Sequence, residues 1–421
     1  MKLIYAGFDG LDVTFKGCIP LGAVEVLEGG KEAAQELKQR QYVEIGDFKG
    51  HVGPTGLRDG GYSFIVDTGD LGFTWFMSKS QRKENWGIRV SCKSATLAAF
   101  GFEQAVARMY DELDAIGATV LEESISRVDF AMDWRVSGDF RIDPDRFSMH
   151  GTTTLGQSGD EWNQAWRGQR CTGFTIGRMP GRQICIYDKR LEVMKTQKAH
   201  WWSIWDIERD ELDKAGDQVW RLEIRAGKKH LKEHWGITRW PDLRKALGDI
   251  FKDALVQVRY KSRAWEKNEN VSRIDDDEFW CAAKDCITRD LSDWSSNATP
   301  GVIKQVMEDQ QRQTITAQLV GLSANLAVLS GMDHDKITVD LPTQIATLIT
   351  DHVRGPKAKD FRQKMRKVTR RYEIIDRDGV VRGGPSDTRY GRSPKEVPGM
   401  VPGSPASAKS KRDQTAGECP R

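Results

Sequence analysis

The 421-residue chain has seven cysteines, and none of them stands in a C-x-x-C pair. The closest two, Cys281 and Cys286, lack both zinc-knuckle spacing and a nearby histidine, so free thiols in a reducing cytoplasm are expected. A strong net charge is also missing. The 64 Lys and Arg against 61 Asp and Glu leave +3, so any affinity for a polyanion has to come from local clusters. The N-terminus, MKLIYAGFDGLDVTF, reaches acidic residues by position 9, before an apolar signal segment can form, and no signal peptide is expected. One uncharged run, Gln313 to Met332, has membrane-spanning length. Its Thr, Gln, Ser and Asn content predicts a buried helix instead, and with it a cytoplasmic protein with no membrane partner. No repeat of 20–50 residues is present.

Three zones remain. Residues 1–235 mix strand-like alternation with helical patterns at about 31–42 and 103–116. Residues 240–375 are mainly helical, and residues 376–421 turn to Gly, Pro, Ser and charge, a composition that buries too little apolar area to fold. The expected class is α+β: an antiparallel sheet with one open, chemically loaded face and helices on the other, then a mainly helical domain for DNA binding or dimerisation, then a disordered tail.

Three strand-like runs carry the chemistry. In SRVDFAMDW, Val128, Phe130 and Met132 alternate with Asp129, Ala131 and Asp133. In QICIYDK, Ile184 and Ile186 oppose Cys185, Tyr187 and Lys189; in VWRLEIRAG, Trp220, Leu222 and Ile224 oppose Arg221, Glu223 and Arg225. FDGLDVTF offers a fourth such strand, with Asp12 on it. Paired in one sheet, these runs would collect carboxylates, arginines and a tyrosine on one face, the oxygen-rich setting that suits Mg²⁺ or Mn²⁺. Asp129 and Asp133, four residues apart, stand roughly 13 Å from each other along a strand, so only one of them can share a metal with Glu223. Beside such a metal, Tyr187 could attack a phosphodiester, with Arg221, Arg225 and Lys189 gripping phosphate or supporting the carboxylate. Each element also has a bland reading: a tyrosine ending a strand as packing, alternating Asp as a solvated face, Glu between arginines as a surface ion-pair ladder.

The ordered set SRVDFAMD (126–133), then T-x-x-I-G-R through IYDKRLE (175–192), then WRLEIR (220–225) resembles the replication initiation factors, the Rep-trans group of rolling-circle plasmid and phage initiators and conjugative-element relaxases. FDGLDVTF and the strand-like RVSCKSATLAAFG (89–101) also look like its earlier blocks, so the likeness spans roughly residues 5–235. The resemblance implies metal-dependent, origin-specific nicking and joining of DNA through a covalent 5′-phosphotyrosyl intermediate. It places the nucleophile at Tyr187, the metal-site acids at Asp129 or Asp133 and Glu223, and supporting cations at Arg221 and Lys189. Single-stranded or cruciform origin DNA, a host helicase and a single-strand-binding protein are the implied partners, in a bacterial cytoplasm, with a filamentous phage or related mobile element as host. A conjugative relaxase of the same chemistry and a non-catalytic origin-binding protein are the alternatives.

Some features depart from better-known nickases. No H-x-H metal motif occurs among the seven histidines; His230 and His234 form H-x-x-x-H in a helical stretch, either a metal pair or a solvated face. Trp201, Trp202 and Trp205 could stack on bases or form a local core. Further on, Ile315, Leu319, Leu322, Leu326 and Leu329 follow 4-3-4-3 spacing, with packing on a neighbouring helix as the default and a homodimer contact as the sharper alternative. RGPKAKDFRQKMRKVTRR (354–371) carries nine Lys or Arg against one acid and is the best candidate for phosphate contacts outside the active site; QVRYKSRA (257–264) adds a smaller basic cluster.

Overall fold

The computed structural model describes residues 1–372 except 59–60, 150–161, 288–290, 292–299, 334, 336 and 356–357. The expected tail at 376–421 lies outside the described residues. The strands are β1 (Lys2–Cys18), β2 (Gln41–Ile45), β3 (Phe48–Val52), β4 (Phe64–Asp67), β5 (Phe73–Met77), β6 (Ile88–Cys92) and β7 (Thr119–Val136). They continue with β8 (Phe147–Met149), β9 (Trp162–Arg167), β10 (Arg170–Gly177), β11 (Arg182–Asp188), β12 (Gln218–Gly227) and β13 (Val258–Tyr260). The helices are α1 (Leu21–Leu37), α2 (Ser94–Ala115), α3 (Lys189–Thr196), α4 (His200–Trp205), α5 (Arg209–Ala215), α6 (Trp240–Gln257), α7 (Glu278–Cys286), α8 (Pro300–Leu329), α9 (Ile337–Arg354) and α10 (Ala358–Tyr372).

Eleven strands form one sheet in the order β2-β3-β4-β5-β6-β1-β7-β12-β11-β10-β9, with antiparallel pairing throughout; β8 and β13 pair separately. The class is the α+β architecture expected. Alternation decides which side is buried. Val128, Phe130 and Met132 of β7, Leu222 and Ile224 of β12, and Ile184 and Ile186 of β11 enter a single core with Phe102 and Met109 of α2 and Leu247, Phe251 and Leu255 of α6. Helix α6 begins with Pro241 in its first turn, where a missing N–H costs nothing, and its apolar stripe faces the sheet.

Several local expectations need correction. The core runs straight through the expected division at 235–240, because α6 and α7 supply Phe251, Leu255, Phe279 and Trp280 to the layer beneath the strands. The run 89–101 is strand only as far as Cys92; helix α2 starts at Ser94 and kinks at Gly101, which has φ +74. Helix α1 starts and ends earlier than its charged stretch indicated, stopping where Lys38 turns left-handed (φ 50), and the alternating QYVEI that follows is β2. The 257–264 cluster is largely committed to internal contacts, with Arg263 exposed and paired with Glu269. Tyr260 and Lys261 are buried, and Arg259, Lys261 and Lys284 all converge on Asp276. The run 313–332 is largely helical, as expected, but most of its residues are exposed rather than buried. Among the described residues, no helix is long and apolar enough to cross a membrane.

Candidate active site

The three chemistry-bearing strands lie side by side, β7-β12-β11, and register aligns their polar residues into rows. Tyr187 stands opposite Arg221, Arg221 opposite Asp133, and Asp133 opposite Tyr5 of β1. One step along, Cys185, Glu223, Ala131 and Gly7 form the next row; Gln183, Arg225, Asp129 and Gly10 form the third. Asp129 and Asp133 therefore sit two rows apart with Glu223 in the row between them. Gly10 is required by close approach, since a Cβ there would come within 2.5 Å of Asp129 Oδ2.

The Tyr187 hydroxyl donates to Glu223 Oε2 at 3.0 Å, and Arg225 Nε donates to the other oxygen of the same carboxylate at 2.6 Å. Burial first, and then the Glu223 charge, push the Tyr187 phenol well above its usual pKa. The resting tyrosine is thus a protonated phenol already hydrogen-bonded to a carboxylate that can take its proton. That geometry is what a buried oxygen nucleophile needs.

The two aspartates of β7 have different surroundings. Asp133 is fully buried and accepts two hydrogen bonds from Arg221, at 2.6 and 2.8 Å, and a third from Trp205 Nε1 at 2.7 Å. Its oxygens are committed to these donors. Asp129 is 1% exposed; Oδ1 accepts from Arg127 Nε at 3.0 Å, while Oδ2 lies against Arg127 Nη2 as an ion pair without hydrogen-bond alignment. Burial raises the Asp129 pKa to about 7; Arg127 opposes this, and nearby Glu223 adds to it. Among the described residues no group of three or more His, Cys, Asp or Glu is placed to hold a metal.

Arg221 turns away from Glu223 and holds Asp133 and a second acid, Asp9, whose Oδ1 accepts from Nη1 at 2.6 Å. Burial works against the Asp9 charge, yet Arg221 and Lys189 prevail and keep its carboxyl below the usual range. Asp9 was missed in favour of Asp12, which instead pairs with Arg89 at 2.9 Å. The signal was a change of parity. Phe8 is a core residue, and so are Leu11, Val13 and Phe15, which requires one extra residue between Phe8 and Leu11; the register shift between Phe8 and Gly10 is that bulge.

Lys189 does not lie on the strand. Strand β11 ends at Asp188, whose side chain caps the Leu191 N–H at 2.9 Å and starts α3. The Lys189 ammonium nonetheless reaches the site, 5.7 Å from the Tyr187 ring centroid, 4.7 Å from that of Trp201 and 2.7 Å from Glu192 Oε2. Trp201 and Trp205 are buried in a local core with Tyr5 and Ile204, and the Trp201 ring lies over the Arg221 guanidinium at 4.2 Å. This end of the polar face is therefore covered by α3 and α4. His230 and His234 stack face to face, 5.0 Å apart and 11° from parallel, and His230 Nε2 accepts from Trp235 Nε1 at 3.1 Å.

His200, also buried, has its pKa lowered to about 4 by burial and then by Lys198 and Lys189. A histidine held neutral in the fold takes up its proton only on unfolding. It therefore contributes stability that is complete above pH ~6.5 and lost as pH falls towards ~4, at up to ~1.4 kcal/mol per pH unit. Asp129 acts in the opposite sense, so a variant comparison isolates the histidine. His200→Gln should flatten the loss of stability in urea melts between pH 6.5 and 5; parallel curves for the two proteins would refute this.

No protein-family model matches the chain, and no curated protein does. Among solved structures, a rolling-circle replication initiator protein from Geobacillus stearothermophilus is similar at 15% identity and a TM-score of 0.37, covering 71% of this chain and 100% of that one.

Proposed function

We propose that this chain is a DNA strand-nicking and joining enzyme that initiates rolling-circle replication, with Tyr187 as nucleophile. The observation that carries the reading is the hydrogen bond from the Tyr187 hydroxyl to Glu223, on the polar face of the sheet between two arginine–carboxylate clusters. The ordered sequence blocks that resemble the replication initiation factors point the same way.

In the proposed reaction, Glu223 accepts the phenolic proton as the Tyr187 oxygen attacks phosphorus. The tyrosyl O–P bond forms, the P–O3′ bond breaks, the proton taken up by Glu223 passes to the leaving 3′ oxygen, and the strand is left with a free 3′ hydroxyl and a 5′ phosphate joined to the protein. Attack by a 3′ hydroxyl on the phosphotyrosine reverses the step and joins the strand. Arg225 holds Glu223 towards the tyrosine; Arg221, braced by Asp9 and Asp133, fixes the strand that presents both. The buried Lys189 places a cation beside the ring, where it offsets phosphate charge.

Asp129 and Glu223 are the acids that would hold a Mg²⁺ or Mn²⁺ ion, Glu223 giving up its contact with Tyr187 or Arg225 to do so. Asp129 keeps an oxygen without an aligned donor, the Glu223 charge lies near enough to add to the rise of the Asp129 pKa, and these ions use few protein ligands and retain waters. When bound, the ion would polarise the scissile phosphate. Asp133, saturated by Arg221 and Trp205, is assigned to bracing rather than to the metal.

The test is cleavage of labelled single-stranded DNA with Mg²⁺ or Mn²⁺. EDTA should abolish it. Glu223→Gln should slow it by ~10²–10⁴-fold, the usual worth of a positioned base. Cleavage that is indifferent to both treatments would remove Glu223 and the ion from the mechanism. The proposed setting is a bacterial cytoplasm, with unpaired origin DNA as substrate and a host helicase and single-strand-binding protein acting downstream. The basic helix α10, with Lys359, Arg362, Lys364 and Arg366 exposed, is the proposed site of further phosphate contacts.

A further inference from the structure

Helix α4 covers the tyrosine end of the polar face with two buried tryptophans, and the two are held there differently. Trp205 is placed by its N–H, which donates to Asp133 at 2.7 Å. Trp201 is fully buried, yet its N–H has no hydrogen-bond partner. A buried donor left unpaired costs free energy that a phenylalanine or leucine in its place would not incur. What suits an indole to this position is therefore its ring.

That ring meets two cations. The Arg221 guanidinium lies over it at 4.2 Å and the Lys189 ammonium at 4.7 Å, while the Tyr5 ring stands edge-on to it with centroids 5.3 Å apart. Arg221 has acids of its own, Asp9 and Asp133. Lys189 is less well supplied. It is 3% exposed, and its 2.7 Å ion pair with Glu192 Oε2 lacks hydrogen-bond alignment. The other oxygen of that carboxylate accepts from Lys198 at 2.9 Å and from Thr196 at 3.2 Å. Burial and then the neighbouring Arg221 charge disfavour the ammonium and lower its pKa. An electron-rich indole face opposes both effects, because its quadrupole attracts each cation without adding a net charge.

We propose that Trp201 is a positioning residue, whose ring face holds the Lys189 ammonium beside Tyr187 and leaves its N–H groups free for the scissile phosphate. The assignment rests on the reading of Tyr187 as nucleophile. Electrostatics favours a ring over an acid at this place. A carboxylate bonded to Lys189 would take up its N–H groups and cancel the charge that a phosphate meets; a ring does neither. Because the two cations share one surface, the ring also fixes Lys189 relative to Arg221, which stands opposite Tyr187 in the strand register.

The test places mono-, di- and trifluorinated tryptophans at position 201 of the full-length chain. Each fluorine withdraws electron density from the ring face and barely changes its size. The rate of adduct formation at saturating single-stranded DNA should fall stepwise with fluorine number, ~10-fold across the series, while the half-saturating DNA concentration holds. The same residues at Trp202, whose ring meets Trp205 edge-on at 5.3 Å, should leave the rate unchanged.

A second readout is the titration of Lys189 by NMR of its Cε, with the signal assigned by its loss in Lys189→Arg. The charged or titratable groups around the ammonium are Asp9 on β1, Asp133 on β7, Tyr187 on β11, Arg221 on β12, Glu192 on α3 and His200 on α4, and fluorination alters none of them. The proton affinity of Lys189 should fall with each fluorine. In Trp201→Leu it should fall ~30-fold, the ~2 kcal/mol of a desolvated cation–π contact at ~1.4 kcal/mol per tenfold. Fluorine makes the side chain more apolar, so a tryptophan that is merely packed gives an unchanged or faster rate and an unmoved titration; either result overturns the proposal. The titration does not depend on cleavage: a wild-type chain that forms no adduct would sink the nucleophile reading, and the titration would still decide whether Trp201 holds Lys189.

Discussion

Tyr187→Phe is expected to abolish protein–DNA adducts and to lower strand cleavage by at least ~10⁴-fold, the scale on which removal of a nucleophile acts in other covalent enzymes. The substitution removes one oxygen and keeps the ring, which packs under Lys189, so the fold should be retained. It also strips Glu223 of its hydroxyl donor, while Arg225 remains on the other carboxylate oxygen, and no unpaired buried charge is created. The expected signature is a folded protein, with a melting temperature within a few degrees of wild type, that binds DNA and forms no adduct. Cleavage that continues in Tyr187→Phe would reassign the site to a hydrolase in which water attacks.

The second large effect falls on stability. Arg221 is fully buried and is the one cation that directly bonds both Asp9 and Asp133 among the described residues. Arg221→Ala would leave those two carboxylates facing each other without that cation and remove the surface on which Trp201 packs. Breaking a buried pair from one side costs ~3–5 kcal/mol, because the remaining charge stays desolvated. Denaturant melts should show a loss of that size, and Arg221→Lys should recover only part of it, since a single ammonium cannot reproduce a fork bonded at three points. A loss below ~1 kcal/mol would mean that the cluster is solvated and that Arg221 does not brace the site.

How much of this was legible in the sequence depends on the range of the interaction. Period-two alternation reports which side of a strand is buried, so it placed Tyr187, Glu223, Asp129 and Asp133 on one face before any pairing was known. Register is a property of pairs of strands, and it brings Asp133 opposite Arg221 and leaves Asp129 with the less committed oxygen. The sequence left open which acid shares the site with Glu223 for that reason. Asp9 was hidden by a bulge, although the switch of core parity between Phe8 and Leu11 records it. The covering of the site by Trp201 and Trp205 and the entry of α6 into the sheet core are long-range packing, which helical periodicity signals as an apolar stripe without naming its partner. The same limit explains α8: its stripe was visible, but whether it packs inward or outward was not.

The central claim is a covalent bond between Tyr187 and DNA. The direct measurement incubates the full-length chain with Mn²⁺ and two substrates, a supercoiled plasmid carrying the chain's own coding region with its flanks and a pool of random single strands. Denaturing electrophoresis and mass spectrometry of the tryptic peptides follow. The account predicts a DNA adduct on the peptide Gln183–Lys189, localised to Tyr187 and absent from Tyr187→Phe. No adduct on either substrate, or an adduct on any other peptide, would contradict it.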